Sequence, residues 1–185
     1  YGKANDFGAD VNWESPTTLL LLTPLGRIVS SSDHGTTWQT VTQLRGGFEY
    51  KTSYQKIHVT KRGTFRVLGR STGIHGAWGD LTLESEKNAW ESYELRGTPI
   101  FDAIWMSEDE IIVCGGDTRV EKLGIRNRLG PFFGTILLSR DAGKTWSVIY
   151  NSAITESFIS LTKVNEYGYY ALSDAGTVVR FTLRP

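Results

Sequence analysis

An octapeptide of the form S-x-D-x-G-x-T-W occurs twice in this chain, at residues 31–38 and again at 139–146. Its two tryptophans, Trp38 and Trp146, are 108 residues apart, and Trp90 lies 52 residues after the first of them. A period near fifty residues is typical of chains built from repeated supersecondary units, such as propeller blades. The repeat therefore constrains the fold more strongly than any single residue does.

The residues around each copy predict the kind of unit that repeats. Short segments rich in Val, Ile, Leu, Thr, Tyr, Phe and Trp alternate with Gly, Asp, Asn and Ser, which is the pattern of strands and turns. No segment shows a helical period. We predict an all-β chain of about four units, three with four antiparallel strands and the last with three. Their approximate bounds are 7–43, 54–95, 99–150 and 157–183.

The residue types of the octapeptide predict a folding role. We expect Asp33 and Asp141 to accept hydrogen bonds from backbone N–H groups two or three residues on. Glycine at the fifth position supplies a positive φ. We expect both tryptophans to fold back over the turn and bury their rings. The residues assigned this structural role are Ser31, Asp33, Gly35, Thr37, Trp38, Ser139, Asp141, Gly143, Thr145 and Trp146.

The octapeptide resembles the Asp box of sialidase-like β-propellers, which also occurs in BNR-repeat and YCF48-like propellers. The resemblance implies a small β-propeller of about four blades, forming one domain over 1–185, with each box as a hairpin between the third and fourth strands of a blade. It also favours ring closure by an N-terminal strand, Tyr1–Asn5 against Thr177–Leu183, and the alternative is an open arc completed by a second chain or by further sequence. A secreted or periplasmic location is favoured by the resemblance alone.

Connection length indicates which face carries function. In the resembling sialidases the active site lies opposite the Asp-box hairpins, where second-to-third-strand and inter-blade connections lie. Two such connections are long here, Ser71–Gly79 and Gly116–Gly134, and Gln43–Ser53 joins two blades on the same face. Their basic and aromatic residues could bind a ligand, or could be solvated or cap the core. The candidates are Arg45, Tyr50, His75, Trp78, Asp117, Arg119, Arg126, Arg128 and Phe132.

Composition and charge narrow the classes of molecule that this chain is expected to bind. Twenty basic residues balance twenty acidic ones, so the chain lacks the overall positive charge of a nucleic-acid-binding protein. No apolar run approaches the roughly 18 residues of a membrane span. The three histidines show no metal-ligand spacing, and we expect neither a metal nor a cofactor. Cys114, the single cysteine, lies in an apolar segment and is predicted to be a core residue.

Three functions remain compatible with the sequence. The first is a non-catalytic binding or assembly module that takes a protein partner or a carbohydrate-like ligand on the long-connection face. The second is a carbohydrate-active hydrolase on that face, which needs two carboxylates about 5–10 Å apart. The third is a fragment of a larger propeller. A true sialidase is disfavoured, since Arg27-Ile28-Val29 lacks the proline of the Arg-Ile-Pro motif.

Overall fold

A computed structural model describes residues 10–13, 15–43, 53–59, 65–70, 76–82, 89–95, 100–117 and 133–183. Within these ranges every regular element is a strand, and fifteen strands form four antiparallel sheets. The predicted all-β fold of four blade-like sheets is therefore confirmed. The predicted closing strand, Tyr1–Asn5, lies outside the described residues.

Strands follow one another in chain order within each sheet, so each sheet is a meander. The sheets are β1–β4, β5–β8, β9–β12 and β13–β15, and the last has three strands, as predicted. The strand bounds are β1 Asp10–Trp13, β2 Leu19–Leu22, β3 Arg27–Ser31, β4 Gln39–Gln43, β5 Ser53–Val59, β6 Phe65–Arg70, β7 Gly76–Thr82, β8 Ala89–Leu95, β9 Ile100–Trp105, β10 Ile111–Asp117, β11 Phe133–Ser139, β12 Ser147–Thr155, β13 Phe158–Lys163, β14 Gly168–Ser173 and β15 Val178–Thr182.

The chain divides into two compact units, Tyr1–Thr72 with Ala77–Glu94 and Gly73–Gly76 with Leu95–Pro185. In the first unit, alternate residues of β2 point inward, so that Leu20 and Leu22 are buried while Leu19 and Leu21 are partly exposed. These leucines pack against residues of β3, β5 and β6. The buried cluster comprises Leu20, Leu22, Ile28, Tyr54, Ile57, Phe65 and Val67.

The second unit buries the inner strands of β9–β12 against one face of β13–β15. Alternation in β10 and β11 supplies one side of this core, and Phe158 and Tyr169 are the largest side chains on the other. Cys114 lies within it, as predicted, and its thiol donates to the Phe158 carbonyl oxygen at 3.4 Å. The buried cluster comprises Ile112, Cys114, Ile136, Leu138, Phe158, Leu161, Tyr169 and Ala171.

Two predicted connections are shorter than expected. The segment Ser71–Gly79 was predicted to be a loop, but β7 begins at Gly76, so Trp78 belongs to a strand. Gly116–Gly134 was also predicted to be a loop, yet Asp117 pairs directly with Phe133 at the end of the β10–β11 ladder. Both predictions were wrong for one reason: a paired neighbour holds Gly and Asp residues in a strand despite their low strand propensity.

Candidate functional site

The two octapeptides form the same hairpin turn, one joining β3 to β4 and the other joining β11 to β12. In the first, Asp33 Oδ1 accepts from the Thr37 N–H at 2.8 Å and Oδ2 accepts from the Thr37 hydroxyl at 2.6 Å. Ser31 Oγ donates to Asp33 Oδ1 at 2.7 Å and accepts from the Gly35 N–H at 2.8 Å. The carboxylate therefore accepts hydrogen bonds from the residue four positions ahead, and not from a residue two or three positions ahead as predicted.

The second turn repeats these contacts residue for residue. Asp141 accepts from the Thr145 N–H at 2.8 Å and from its hydroxyl at 2.6 Å, while Ser139 Oγ accepts from the Gly143 N–H at 2.7 Å. Positive φ at Gly35 (89°) and Gly143 (82°) agrees with the prediction. A preceding residue, His34 in one turn and Ala142 in the other, also has a positive φ.

These contacts stabilise the charged form of both carboxylates. Hydrogen bonds from the Thr37 hydroxyl and N–H, and from the Ser31 hydroxyl, lower the pKa of Asp33 from 3.8 to about 2. The Thr145 hydroxyl and N–H lower the pKa of Asp141 to about 2 in the same way. Both oxygens of each carboxylate are therefore engaged within its own turn.

The tryptophans fold back as predicted but are less buried than expected. Trp38 Nε1 donates to the Gly35 carbonyl oxygen at 3.0 Å, and Trp146 Nε1 donates to that of Gly143 at 2.9 Å. Trp38 nevertheless keeps 41% of its surface exposed. The ring therefore covers its own turn without entering the core of the sheet.

Most of the predicted ligand-binding residues lie outside the described residues. Trp78 is in β7 and Asp117 ends β10, and their backbones alone are described. The structure therefore does not test whether the predicted set comes together. The candidates outside the described residues are Arg45, Tyr50, His75, Arg119, Arg126, Arg128 and Phe132.

The described part of the long-connection face in the second unit contains a buried acidic site. We call this face the connection end. In the second unit the β12–β13 connection contacts the β14–β15 turn at this end, and β11 begins at the same end. Ser157 N–H donates to Asp174 Oδ1 and its carbonyl oxygen accepts from the Asp174 N–H, both at 2.9 Å. This pair of bonds fixes Glu156, the residue before Ser157, beside the turn.

Glu156 is 3% exposed, and neither of its carboxylate oxygens has a hydrogen-bond partner among the described residues. Burial acts to raise the pKa of this carboxyl, but the nearby hydroxyls of Ser152, Thr177 and Ser173 outweigh it and hold the pKa below its ordinary value. These three hydroxyls therefore favour the charged form of the carboxylate. We call Glu156 and these three hydroxyls the Glu156 site.

The walls of the Glu156 site are close-packed. A Cβ built on Gly134, the second residue of β11, would lie 2.8 Å from the Phe158 ring and 3.3 Å from Glu156 Cγ. Ser152 and Ser173 are themselves buried, with Ser173 Oγ accepting from the Thr177 N–H at 2.9 Å. A charged carboxylate in such surroundings attracts cationic groups strongly, because few water molecules screen it.

Other acidic residues are already engaged or solvated. Four acidic residues, Asp102, Glu108, Asp109 and Glu110, lie close together in the sequence, where a glycosidase could place its two carboxylates. Asp102 is instead buried in the core and accepts from the Leu161 N–H at 2.8 Å, while Glu110 pairs with Arg140 at 2.7 Å on the surface. Among the described residues, no three His, Cys, Asp or Glu side chains are grouped to hold a metal ion.

The sequence did not indicate the Glu156 site. Glu156 follows a strand in Ile154-Thr155-Glu156-Ser157, where a glutamate is ordinarily solvated. Its hydroxyl neighbours come from β12, the end of β14 and the β14–β15 turn. No local pattern could have grouped them.

In the described part of the chain, no helix is both long and apolar enough to cross a membrane. No protein-family model matches the sequence, and no curated protein matches it. The chain is similar to a solved structure described as YCF48 bound to D1 peptide, with 13% identity and a TM-score of 0.49, over 94% of this chain and 64% of that one. It is also similar to YCF48 from Cyanidioschyzon merolae, with 15% identity and a TM-score of 0.49, over 98% of this chain and 69% of that one. This chain thus spans less than two thirds of the length of the first structure.

Proposed function

We propose that this chain is a non-catalytic binding module that takes a protein partner at the connection end of the second unit. The observation that carries this proposal is Glu156, a buried and charged carboxylate without a hydrogen-bond partner among the described residues. A group of this kind costs free energy unless an interacting group compensates it. A partner with a complementary cationic group would supply that compensation.

The protonation state of Glu156 supports binding over hydrolysis. A glycosidase needs a carboxylic acid whose pKa is raised, so that it can donate a proton near neutral pH, and a second carboxylate across the substrate. The neighbouring hydroxyls lower the pKa of Glu156, which is therefore ionised near neutral pH. The carboxylate of Asp174, the nearest in the turn, is committed to the Ser157 N–H.

The predicted ligand-binding residues of the 118–132 connection remain part of this proposal. Asp117 precedes the connection and pairs with Phe133 after it, and Phe133 also pairs with Thr155, one residue before Glu156. The connection therefore leaves and returns beside the Glu156 site. We propose that Arg119, Arg126, Arg128 and Phe132 contribute to the same binding surface.

We also propose that the two octapeptide turns are Asp boxes of a BNR-type, YCF48-like propeller. Both lie between the third and fourth strands of their sheets, as the resemblance implies. Their shared hydrogen bonds support a common origin. In this proposal the boxes stabilise the blades, and binding takes place at the opposite ends of the strands.

Affinity capture with three versions of the full chain tests the binding proposal. Wild type, Glu156→Gln and the control Glu166→Gln are each used, because Glu166 is exposed on the β13–β14 turn at the other end of the same sheet. A captured protein is then purified and its dissociation constant measured with all three. We expect binding to weaken at least tenfold with Glu156→Gln alone. Equal affinities for all three, or hydrolysis of a glycan panel that Glu156→Gln abolishes, would refute the proposal.

A further inference from the structure

We propose that the outer edge of β15 binds an extended segment of a partner protein by strand addition, and that this segment carries an acidic side chain opposite Arg180. The inference goes beyond the proposed function, because it concerns a different surface that is recognised through its backbone. In the described part of the chain β15 is an edge of a three-stranded sheet, whereas the other three sheets have four strands. A sheet edge binds extended peptides through main-chain hydrogen bonds.

The hydrogen bonds of the β14–β15 ladder show which backbone groups are left at the edge. Ser173 N–H donates to the Thr177 carbonyl oxygen at 2.9 Å, and Leu183 N–H donates to the Tyr167 carbonyl oxygen at 3.0 Å. Hydrogen-bonded pairs alternate along an antiparallel ladder, so the odd-numbered residues of β15 bond to β14. The residues whose N–H and carbonyl groups point away from β14 are Val178, Arg180 and Thr182.

The β15 edge lacks the irregularities found at two other outer strands. The β3–β4 ladder contains one register shift, and the β11–β12 ladder contains two. Bulges of this kind twist an edge and hinder the addition of a further strand. The β14–β15 ladder pairs Gly168–Leu172 with Val178–Thr182 without a shift. Its edge is therefore regular enough to pair with another strand.

The side chains of β15 alternate between two faces and so define the pattern of an added strand. Val179 and Phe181 pack against the core of the second unit, and the Phe181 ring stacks on that of Tyr169 at 5.5 Å between centroids. Val178 lies on the other face opposite Leu172, and these two residues are 61% and 42% exposed. Cross-strand neighbours share a face and contact each other. We therefore expect the added strand to place apolar residues opposite Val178, Val179 and Phe181.

Arg180 adds a charge requirement at the centre of the edge. It is exposed, and the residues across the sheet from it are Tyr170 on β14 and Thr162 on β13, neither of which is acidic. Among the described residues Arg180 has no ion pair. Opposite charges directly across a ladder stabilise strand pairing, whereas like charges destabilise it. A glutamate or aspartate of the partner opposite Arg180 therefore complements the edge.

The same charge disfavours the two occupants that this chain could itself supply. In a two-fold symmetric pairing of β15 with a second copy, the register that pairs all five residues places the two copies of Arg180 opposite each other. The segment Tyr1–Asn5, predicted from the sequence to close the ring, contains Lys3 at its centre and no acidic residue. Both pairings bring positive charges together, so an acidic segment of another protein fits the edge better.

Fluorescence anisotropy with the full chain tests the inference. The probe is a fluorescein-labelled peptide of threonine, valine, glutamate, valine and isoleucine, flanked by serines, which in an antiparallel pair sets its glutamate opposite Arg180. We expect saturable binding to wild type and a dissociation constant about fivefold higher or more for Arg180→Glu. Lys163→Glu is the matched control, because Lys163 is exposed on β13 of the same sheet, and it should bind like wild type. A peptide with lysine in place of glutamate should bind Arg180→Glu more tightly than wild type.

Amide hydrogen exchange followed by NMR tests the backbone pairing without any substitution in the protein. In the free chain the N–H groups of Val178, Arg180 and Thr182 should exchange faster than those of Val179 and Phe181, and the peptide should slow the first three. N-methylation of the peptide glutamate removes the central main-chain donor and keeps the side chain, so it should abolish this protection. Val178→Pro removes an outward N–H without breaking a bond to β14 and should weaken binding as well.

Other outcomes would overturn the inference. Absence of saturable binding, or equal affinities for all variants and peptides, would show that the edge does not accept an acidic strand. Binding that appears only after removal of residues 1–6 would show that the chain's own N-terminal segment covers the edge. A wild-type dimer in sedimentation equilibrium that Val178→Pro dissociates would identify a second copy as the occupant. The capture experiment with Glu156→Gln is independent of these results, so the inference and the proposed function are tested separately.

Discussion

The Asp102 carboxylate accepts a hydrogen bond from the Leu161 backbone N–H at 2.8 Å, which ties β9, the first strand of one sheet, to β13, the first strand of the next. The first unit contains the same tie, in which Asp10 Oδ2 accepts from the Ile57 N–H at 2.9 Å and joins β1 to β5. Each aspartate lies three residues before a tryptophan, Trp13 or Trp105. A D-x-x-W pattern therefore marks the inter-sheet contact in both units.

Asp102→Ala should destabilise the second unit. The Leu161 N–H is buried and would lose its charged acceptor, so we expect the free energy of unfolding to fall by about 1.5–3 kcal/mol. Urea denaturation followed by tryptophan fluorescence measures this change. Asp109→Asn is the matched control, because Asp109 is exposed on the turn after the same strand. An equal effect of the two substitutions would show that the tie is not stabilising.

Asp141→Ala should lower the melting temperature by several degrees without changing the Glu156 site. The Thr145 N–H, the Thr145 hydroxyl and the Ser139 hydroxyl all lose their acceptor. Lys144→Ala, an exposed change in the same turn, should have little effect. Differential scanning calorimetry gives the comparison. A variant that melts like wild type but loses its partner would reverse the structural assignment of the turn.

The octapeptide turns should make stability depend on pH in the acid range. The folded-state pKa of Asp33 and that of Asp141 are about 2, below the ordinary value of 3.8. The stabilisation is therefore complete above about pH 5 and is lost as pH falls through 4 towards 2. The double variant Asp33→Asn, Asp141→Asn should show a smaller drop in melting temperature between pH 5 and pH 2. Parallel curves for the two proteins would contradict this linkage.

Gly134→Ala should destabilise the second unit through a steric clash. The added Cβ would lie 2.8 Å from the fully buried Phe158 ring, so the core must shift, at a cost of about 1–3 kcal/mol. Gly176→Ala is the comparison. Its added Cβ would lie within 4 Å of no other atom, so its loss of stability comes from the φ of +83° alone. Near-ultraviolet circular dichroism should change for Gly134→Ala only. Unchanged aromatic signals in both would argue against the clash.

Replacing residues 118–132 by Asn-Gly should leave the second unit folded. Asp117 and Phe133 are directly paired, and a two-residue turn joins such a pair without changing its register. Partner binding should fall sharply, since the proposed surface includes this connection. Removing Gly116–Gly134 instead should also destabilise the fold, because Gly134 packs on Phe158. Loss of cooperative unfolding after the shorter replacement would show that the connection belongs to the core.

Sequence reasoning located most strands because their signals are local. The predicted units of four, four, four and three strands match the four sheets, since alternating apolar residues and flanking turn residues define the strands. It failed for β7 and for the ends of β10 and β11, where Gly and Asp residues suggested loops. Pairing with a neighbouring strand decides such segments, and that neighbour is distant in the sequence.

The sequence by itself determined the repeat, the strand composition and the octapeptide turns, because each depends on residues within eight positions of one another. Tertiary structure alone decided that Asp102 is buried against Leu161 while Glu110 stays at the surface. It also decided that Glu156 lies among hydroxyls from β12, β14 and the β14–β15 turn. Burial and electrostatic environment depend on which strands meet in space, and a carboxylate acquires its chemistry from those neighbours.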